Sequence, residues 1–330
     1  MNKTSNYGLL CEPATESPLI EENGKLVSVS GREYEIIDGI PNLVLITDQE
    51  KNQYALDLFR NKAEIYDKHQ HLSFETFYKK EEDVRNELIS KLNLNRKNIK
   101  VLELNAGTGR DTVLIKKKLG SGSSLYAQDI SFDMLKVLQS KLGEKDVFLT
   151  QSNAEALPYK TNSFDAIYSF GGVGMKTYSD TRTQMQEICR VAKTGAKVVI
   201  GGLGMAEWLY ETEFGKILIN HNEHYKNHFD LSALPIEARN VNMSWILNGA
   251  GFCLEFEVGE GEPEADFDFD IPGVRGGTLR TRYYGKLEGV SPETKKLAYE
   301  AREKLGVSMY EFLNTTIQKA SKDILRGEHK

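Results

Sequence analysis

From Ile99 to Leu203 short apolar runs and amphipathic stretches take turns. KVLEL, SLYAQDI, VFLTQ, FDAIYSF and AKVVIGGL are separated by segments such as DMLKVLQSKL and RTQMQEICRVAK. Near-continuous apolar runs of strand length suit strands buried on both faces, and the helical periodicity between them supplies the covering layers. This alternation predicts an α/β fold, a doubly wound, Rossmann-like sheet with helices on both faces. Ligands of such sheets bind beyond the carboxyl ends of the strands, so the residues closing each run are where chemistry is expected.

The flanks break this rhythm. Residues 1–47 carry two Val/Ile-rich runs around Gly31-Arg32, closed by Gly39 and Pro41, which predicts a small N-terminal β-hairpin unit. Residues 48–98 turn helical, with Leu56, Phe59, Ala63 and Tyr66, then Val84, Leu88 and Leu92, at spacings of three and four. They form a helical cap ahead of the sheet domain, 99–288. An insertion at 205–242 is placed to cover the ligand crevice, before MSWILNGAGFCLEFEV resumes a helix, a glycine turn and a strand. Residues 289–330 predict a C-terminal helical hairpin, with Ser291 and Ser308 as N-caps and Gly306 ending the first helix. From Ile271 onward twelve Lys/Arg face seven Asp/Glu in a chain of net charge -6, which marks this end as a separate piece. The acidic EGEPEADFDFD at 260–270 reads as a solvated edge strand or as a binding strip for a basic substrate.

The strongest motif is VLELNAGTGRDT, Val101 to Thr112. A strand delivers Glu103, then Gly107 and Gly109 permit a tight turn, and the next helix opens with free N–H groups toward the crevice. Asp129, 20 residues after Gly109 and at the end of the next strand, can accept both hydroxyls of a ribose. The pair defines a nucleoside pocket. A dinucleotide site would want a third small residue where Thr112 stands, and Glu103 would repel a pyrophosphate. The acid suits a cationic amino acid portion instead.

In these residues the chain, from about 99 to 203, resembles the class I S-adenosylmethionine-dependent methyltransferases, on the ubiquinone/menaquinone-biosynthesis branch. Glu103, Gly107 and Gly109 match the family's acidic glycine loop, and Asp129, Ile130, Ser131, Met134 and Leu135 its ribose segment. NAEALPYKTNSFD, Asn153 to Asp165, matches the adenine segment, and Glu187, Ile188, Arg190, Val191, Lys193 and Gly195 the approach to the fifth strand. Three positions depart: Asn105 replaces the loop's first glycine, Asn153 the adenine-contacting acid, and Ala196 a second glycine. Asparagine is the non-glycine residue best suited to positive φ. At 153 it would meet the adenine amine with its side-chain carbonyl.

The resemblance implies S-adenosyl-L-methionine as cofactor and methyl transfer to an oxygen, nitrogen or carbon of a small-molecule acceptor. Glu103 would hold the methionine amine, Asn105, Ala106, Gly107 and Gly109 its carboxylate side, Asp129 the ribose, and Asn153 with Ala154 the adenine. Ile130, Met134 and Phe170 complete that set. Candidates for a general base or acceptor contact are Tyr66, His69, His221 and His224, with Phe170, Gly171 and Tyr225 as further contacts. His69 and His71 lie in YDKHQH. His221, His224 and His228 lie in HNEHYKNH and share one face if that segment is helical.

The N-terminal unit resembles a small zinc-ribbon-derived domain through Leu10, Cys11, Gly31, Arg32, Tyr34 and IIDGIPNLV. Only Cys11 of the ribbon's cysteines remains, so no metal is expected, and Cys189 and Cys253 are read as ordinary thiols. The tail resembles the ribbon-helix-helix domain of antitoxin-type repressors, which implies a homodimer and a short strand carrying Arg280, Arg282 and Lys286. Net charge -6 argues against a nucleic-acid coat. The start lacks the basic and long apolar regions of a leader, and no stretch of about 18 apolar residues occurs, so no membrane partner and a cytoplasmic location are expected. Two other readings stay open: an RNA or peptide methyltransferase, and a non-enzymatic cofactor sensor that binds DNA through the tail.

Overall fold

The computed structural model describes residues 7–47, 49–58, 60–142, 147–174, 180–226, 229–272, 274, 276–284 and 290–327. Phe59, His228 and Lys286 lie outside the described residues. The chain forms two compact units, Met1–Pro263 and Glu264–Lys330.

The first unit opens with a four-stranded antiparallel sheet: β1 (Leu19–Glu22), β2 (Lys25–Ser28), β3 (Glu33–Ile37) and β4 (Ile40–Pro41). Its Leu26, Tyr34 and Leu43 bury against Tyr159 and Phe164, and the Leu43 N–H donates to Gln151 O at 2.8 Å. Within this unit the Glu12 carboxylate is buried and accepts hydrogen bonds from Thr15 Oγ1 (2.8 Å) and Tyr34 Oη (3.2 Å). The Thr15 hydrogen bond chiefly holds this acid below the usual carboxylate range.

Helices α1 (Gln49–Leu58), α2 (Ala63–His69), α3 (Leu72–Glu75) and α4 (Glu81–Ser90) follow. The expected continuity through Ala63 breaks because Asn61 takes the left-handed region at φ 57°.

The main sheet contains β5 (Lys100–Leu104), β6 (Ser124–Asp129), β7 (Val147–Gln151), β8 (Phe164–Phe170), β9 (Ala192–Leu203), β10 (Ala238–Ile246) and β11 (Gly251–Val258). Their order is β10-β11-β9-β8-β5-β6-β7, with β11 antiparallel to both its neighbours and the strands from β9 to β7 parallel. Helices α5 (Arg110–Lys118), α6 (Phe132–Lys141) and α7 (Thr181–Val191) make the crossovers. Alternate residues of one strand enter opposite cores: Leu102, Ile167, Val198 and Ile200 join one cluster, Val101, Ala166, Tyr168 and Val199 the other. Burial on both faces is why these runs read as continuous hydrophobic stretches. The order turns at β5, and the carboxyl ends of β5, β6 and β8 converge there.

The insertion holds α8 (Glu213–His221) and short 3-10 turns at Glu223–Lys226 and Leu231–Ala233. His221 and His224 do not share a helical face. α8 stops at His221 because Asn222 is extended (φ -149°), and Asn222 Oδ1 accepts the His224 N–H at 3.0 Å to start a separate turn. Met243–Ile246, expected as helix, belongs to β10, where Met243 pairs with Leu254 and Trp245 with Phe252. Cross-strand pairing decides a stretch whose apolar spacing fits either state.

In the second unit α10 (Pro292–Leu305) and α11 (Met309–Leu325) start at Ser291 and Ser308, whose hydroxyls accept the N–H groups of Thr294 and Glu311. Gly306 closes α10 at φ 69°. The expected strand over Arg280 and Arg282 is instead a helix, α9 (Leu279–Tyr284), whose first turn is fixed by the Thr281 N–H donating to Thr278 Oγ1 at 3.1 Å. Arg280 is taken up internally, 3.1 Å from Asp268 and over the ring of Tyr310 at 4.7 Å. No strand forms over 260–270.

Candidate cofactor cleft

The turn after β5 is held by two residues of β6, the carboxamide Gln128 and the carboxylate Asp129. Gln128 Oε1 lies 3.3 Å from the Asn105 N–H and its backbone carbonyl accepts Ala106 N–H at 2.9 Å, while Asp129 Oδ2 accepts Gly107 N–H at 2.8 Å. Asn105, Gly107 and Gly109 all sit at positive φ (54°, 54° and 81°), so the glycine-to-asparagine departure at 105 is conformationally sound. Gly109 is the N-cap of α5, and a Cβ there would stand 2.1 Å from Leu138 Cδ1, so helix α6 packs where a side chain would project.

This loop, the ends of β6 and β8, and α2 enclose one cleft. Its walls include Tyr66, Asn105, Gly107, Asp129, Ile130, Met134, Asn153, Ala154, Phe170 and Gly171. Ten sequence-named residues thus meet in one place. Glu103 lies just beneath, almost wholly buried, with Oε2 lacking a hydrogen-bond partner. Ala106 and Gly109 shape the loop without facing the cleft.

Electrostatically the cleft is a poorly solvated acidic site. Burial, with the Asp111 carboxylate adding to it, pushes Glu103 well above the ordinary carboxylate value. Burial also pushes Asp129 up to about 6, against the pull of the Ser131, Gly107 and Ile130 N–H groups. Arg85 is close but committed elsewhere, to Glu81 (2.7 Å) and Asp111, and it stacks at 4.8 Å on the ring of Phe170. A buried carboxylate with one oxygen unpartnered is a place for an arriving cation.

Helix α2 is clasped over the loop. Asp67 accepts Thr108 Oγ1 (2.5 Å) and Lys141 Nζ (2.6 Å), and the Arg110 guanidinium donates to the Asp67 carbonyl at 2.7 Å. This clasp holds Tyr66 at the cleft wall, and burial raises the Tyr66 hydroxyl pKa.

The other candidates lie elsewhere. His69 is exposed, its Nδ1 3.0 Å from Ile65 O; His71 is on the surface, Nε2 4.0 Å from Glu75. His221 is exposed on α8, His224 is half-buried, and Tyr225 is buried in the core beneath the insertion. Four wall residues were missed: Asn52, Ala55, Gly172 and Gln184. A Cβ at Gly172 would come 2.2 Å from Asn105 Cγ, so close approach of two chain segments demands glycine. Gln184 is 2% exposed and its Oε1 lies 3.3 Å from the Gly174 N–H. A buried polar residue on the apolar stripe of α7 was the one available signal.

A family model described as the ubiE/COQ5 methyltransferase family matches residues 47–210. Through these residues, just under half of its length, the chain is similar to the ubiE/COQ5 methyltransferase family. The matched segment runs from two residues before α1 to the insertion and contains every residue lining the cleft. Relatives include a demethylmenaquinone methyltransferase of Anoxybacillus flavithermus, 30% identical over 46% of this chain and 62% of its own length. A ubiquinone/menaquinone biosynthesis C-methyltransferase UbiE of Wigglesworthia glossinidia brevipalpis is 27% identical over 47% and 66%. The chain therefore spans less than two thirds of either relative's length. Among solved structures, a SAM dependent methyltransferase from Aquifex aeolicus covers 53% of this chain and 89% of its own, at 19% identity and a TM-score of 0.38.

Proposed function

We propose that the protein binds S-adenosylmethionine in this cleft and methylates a small-molecule acceptor, at carbon as the names of its relatives have it. The observation that carries the reading is the set of buried acceptors gathered at one crevice: Glu103 with an unpartnered Oε2, Asp129, and Asn153 with an unpartnered Oδ1. They fit the ammonium, the ribose hydroxyls and the adenine amine of one ligand. The cofactor supplies an electrophilic methyl on a sulfonium; the chain's residues align it and exclude water. Tyr66 and Phe170, both on the cleft wall, are the proposed contacts for the acceptor, with Gln184 also lining the cleft. His69, His221 and His224 are kept as candidate bases that would act only if their segments close over the cleft.

The test is methyl transfer from labelled S-adenosylmethionine to a prenylated naphthoquinol lacking its ring methyl. Label appearing on the ring carbon supports the reading. Cofactor binding without transfer to this probe would direct the search to another small-molecule acceptor.

We also propose a homodimer through the tail. Helices α10 and α11 bury no residue, and Leu297, Leu305 and Leu325 are exposed. Solution mass should be twice that of the chain and fall to one copy when residues 290–330 are removed. No helix among the described residues is long and apolar enough to cross a membrane.

A further inference from the structure

Asn153 is held in one orientation, and the residue that holds it lies outside the sheet. Its Nδ2 stands 3.2 Å from Thr47 Oγ1, while its Oδ1 is buried without a partner. The Thr47 hydroxyl donates to the Glu155 carboxylate and lies 3.1 Å from Asn52 Oδ1. That Asn52 atom is an acceptor, because it takes the Thr47 backbone N–H at 2.9 Å. A hydroxyl has one proton. With both neighbours able only to accept, Thr47 Oγ1 turns a lone pair toward Asn153, and only the amide nitrogen can face it. Glu155 is in turn fixed by the Asp180 N–H and lies 3.4 Å from Asn52 Nδ2.

We infer that Thr47 is a positioning residue that locks the Asn153 amide with its carbonyl toward the ligand, making the cleft selective for a 6-amino purine over a 6-oxo purine. An aspartate at 153 would need no lock, since either oxygen accepts. An asparagine does, because the flipped amide would offer N–H to a 6-oxo group. The Thr47–Glu155–Asn52 cluster supplies what the departure at 153 requires. The inference rests on the nucleoside reading of the cleft and adds its base specificity.

The full-length protein would be titrated with S-adenosylhomocysteine and with S-inosylhomocysteine, in which an oxo group replaces the amine. The native protein should prefer the first by on the order of 30-fold, the discrimination expected when a hydrogen bond is replaced by two opposed acceptors. Thr47→Val should bring the ratio to within about threefold, because the freed amide can turn. Thr47→Ser should restore it, and Thr47→Val combined with Asn153→Asp should keep the preference. A Thr47→Val variant that binds both ligands more weakly in the same proportion would overturn the inference and leave Thr47 a purely structural role. So would a native protein that binds both equally well. If the folded protein binds neither nucleoside, the functional reading itself fails, an outcome distinct from an unchanged ratio.

Discussion

Glu103→Gln should make the ligand-free protein more stable and the cofactor site nearly useless. The native carboxylate is buried, lacks a partner for Oε2, and is pushed well above its ordinary value by burial and then by Asp111. A group whose folded pKa is raised contributes most to stability below its unfolded value, near 4.3, and that contribution is lost as pH climbs through the folded value. The neutral amide escapes this loss. Thermal unfolding at pH 8 should therefore favour the variant by roughly 1–3 kcal/mol, the cost of a poorly satisfied buried polar group, with the gain vanishing below about pH 4. Binding should move the other way, since the ligand ammonium loses its counter-charge. A loss on the order of 100-fold in affinity for S-adenosylhomocysteine is expected, equivalent to about 3 kcal/mol. A variant that is less stable at pH 8 yet binds normally would show that this acid serves the fold and not the ligand.

The second large effect is on pH. Asp129, pushed up to about 6, must be ionised to accept two ribose hydroxyls, and its two oxygens already take the Gly107 and Ser131 N–H groups at 2.8 Å. Affinity should be level above about pH 7 and fall by up to tenfold per unit below 6 through this group alone. Stability runs opposite for the ligand-free protein, whose contribution from Asp129 is greatest below the unfolded value near 3.9 and is lost as pH passes 6. The rise in melting temperature produced by a fixed ligand concentration should therefore grow between pH 5 and pH 7.5. A ligand-induced shift that is flat over that range would mean that Asp129 does not meet the ribose.

The sheet and the glycine turn were legible because they are local. A strand buried on both faces and a turn needing positive φ leave their marks within a few residues, as in Val101–Gly109. Asp129 followed because parallel β5 and β6 bring adjacent strand ends together, so a fixed spacing becomes a fixed position. The rest depended on contacts that spacing does not encode. Thr47 reaches Asn153 across 106 residues, and Asn52 reaches Glu155 across 103. Gln184 is seen to belong only once α7 packs beside the cleft. The histidine face assumed a helix that Asn222 ends, and the tail strand assumed an extended form that Thr278 caps into a helix. In both places one short polar side chain, bonding to a nearby backbone N–H, outweighed the longer pattern.

The most direct test of the cofactor assignment is calorimetric titration of the full-length protein at pH 7.5 with S-adenosylmethionine and S-adenosylhomocysteine, beside Asp129→Ala. The cleft predicts one site per chain, micromolar or tighter as an order of magnitude, and abolished in a variant that stays folded. Absence of binding by the folded native protein, or binding that survives unchanged in Asp129→Ala, would contradict it.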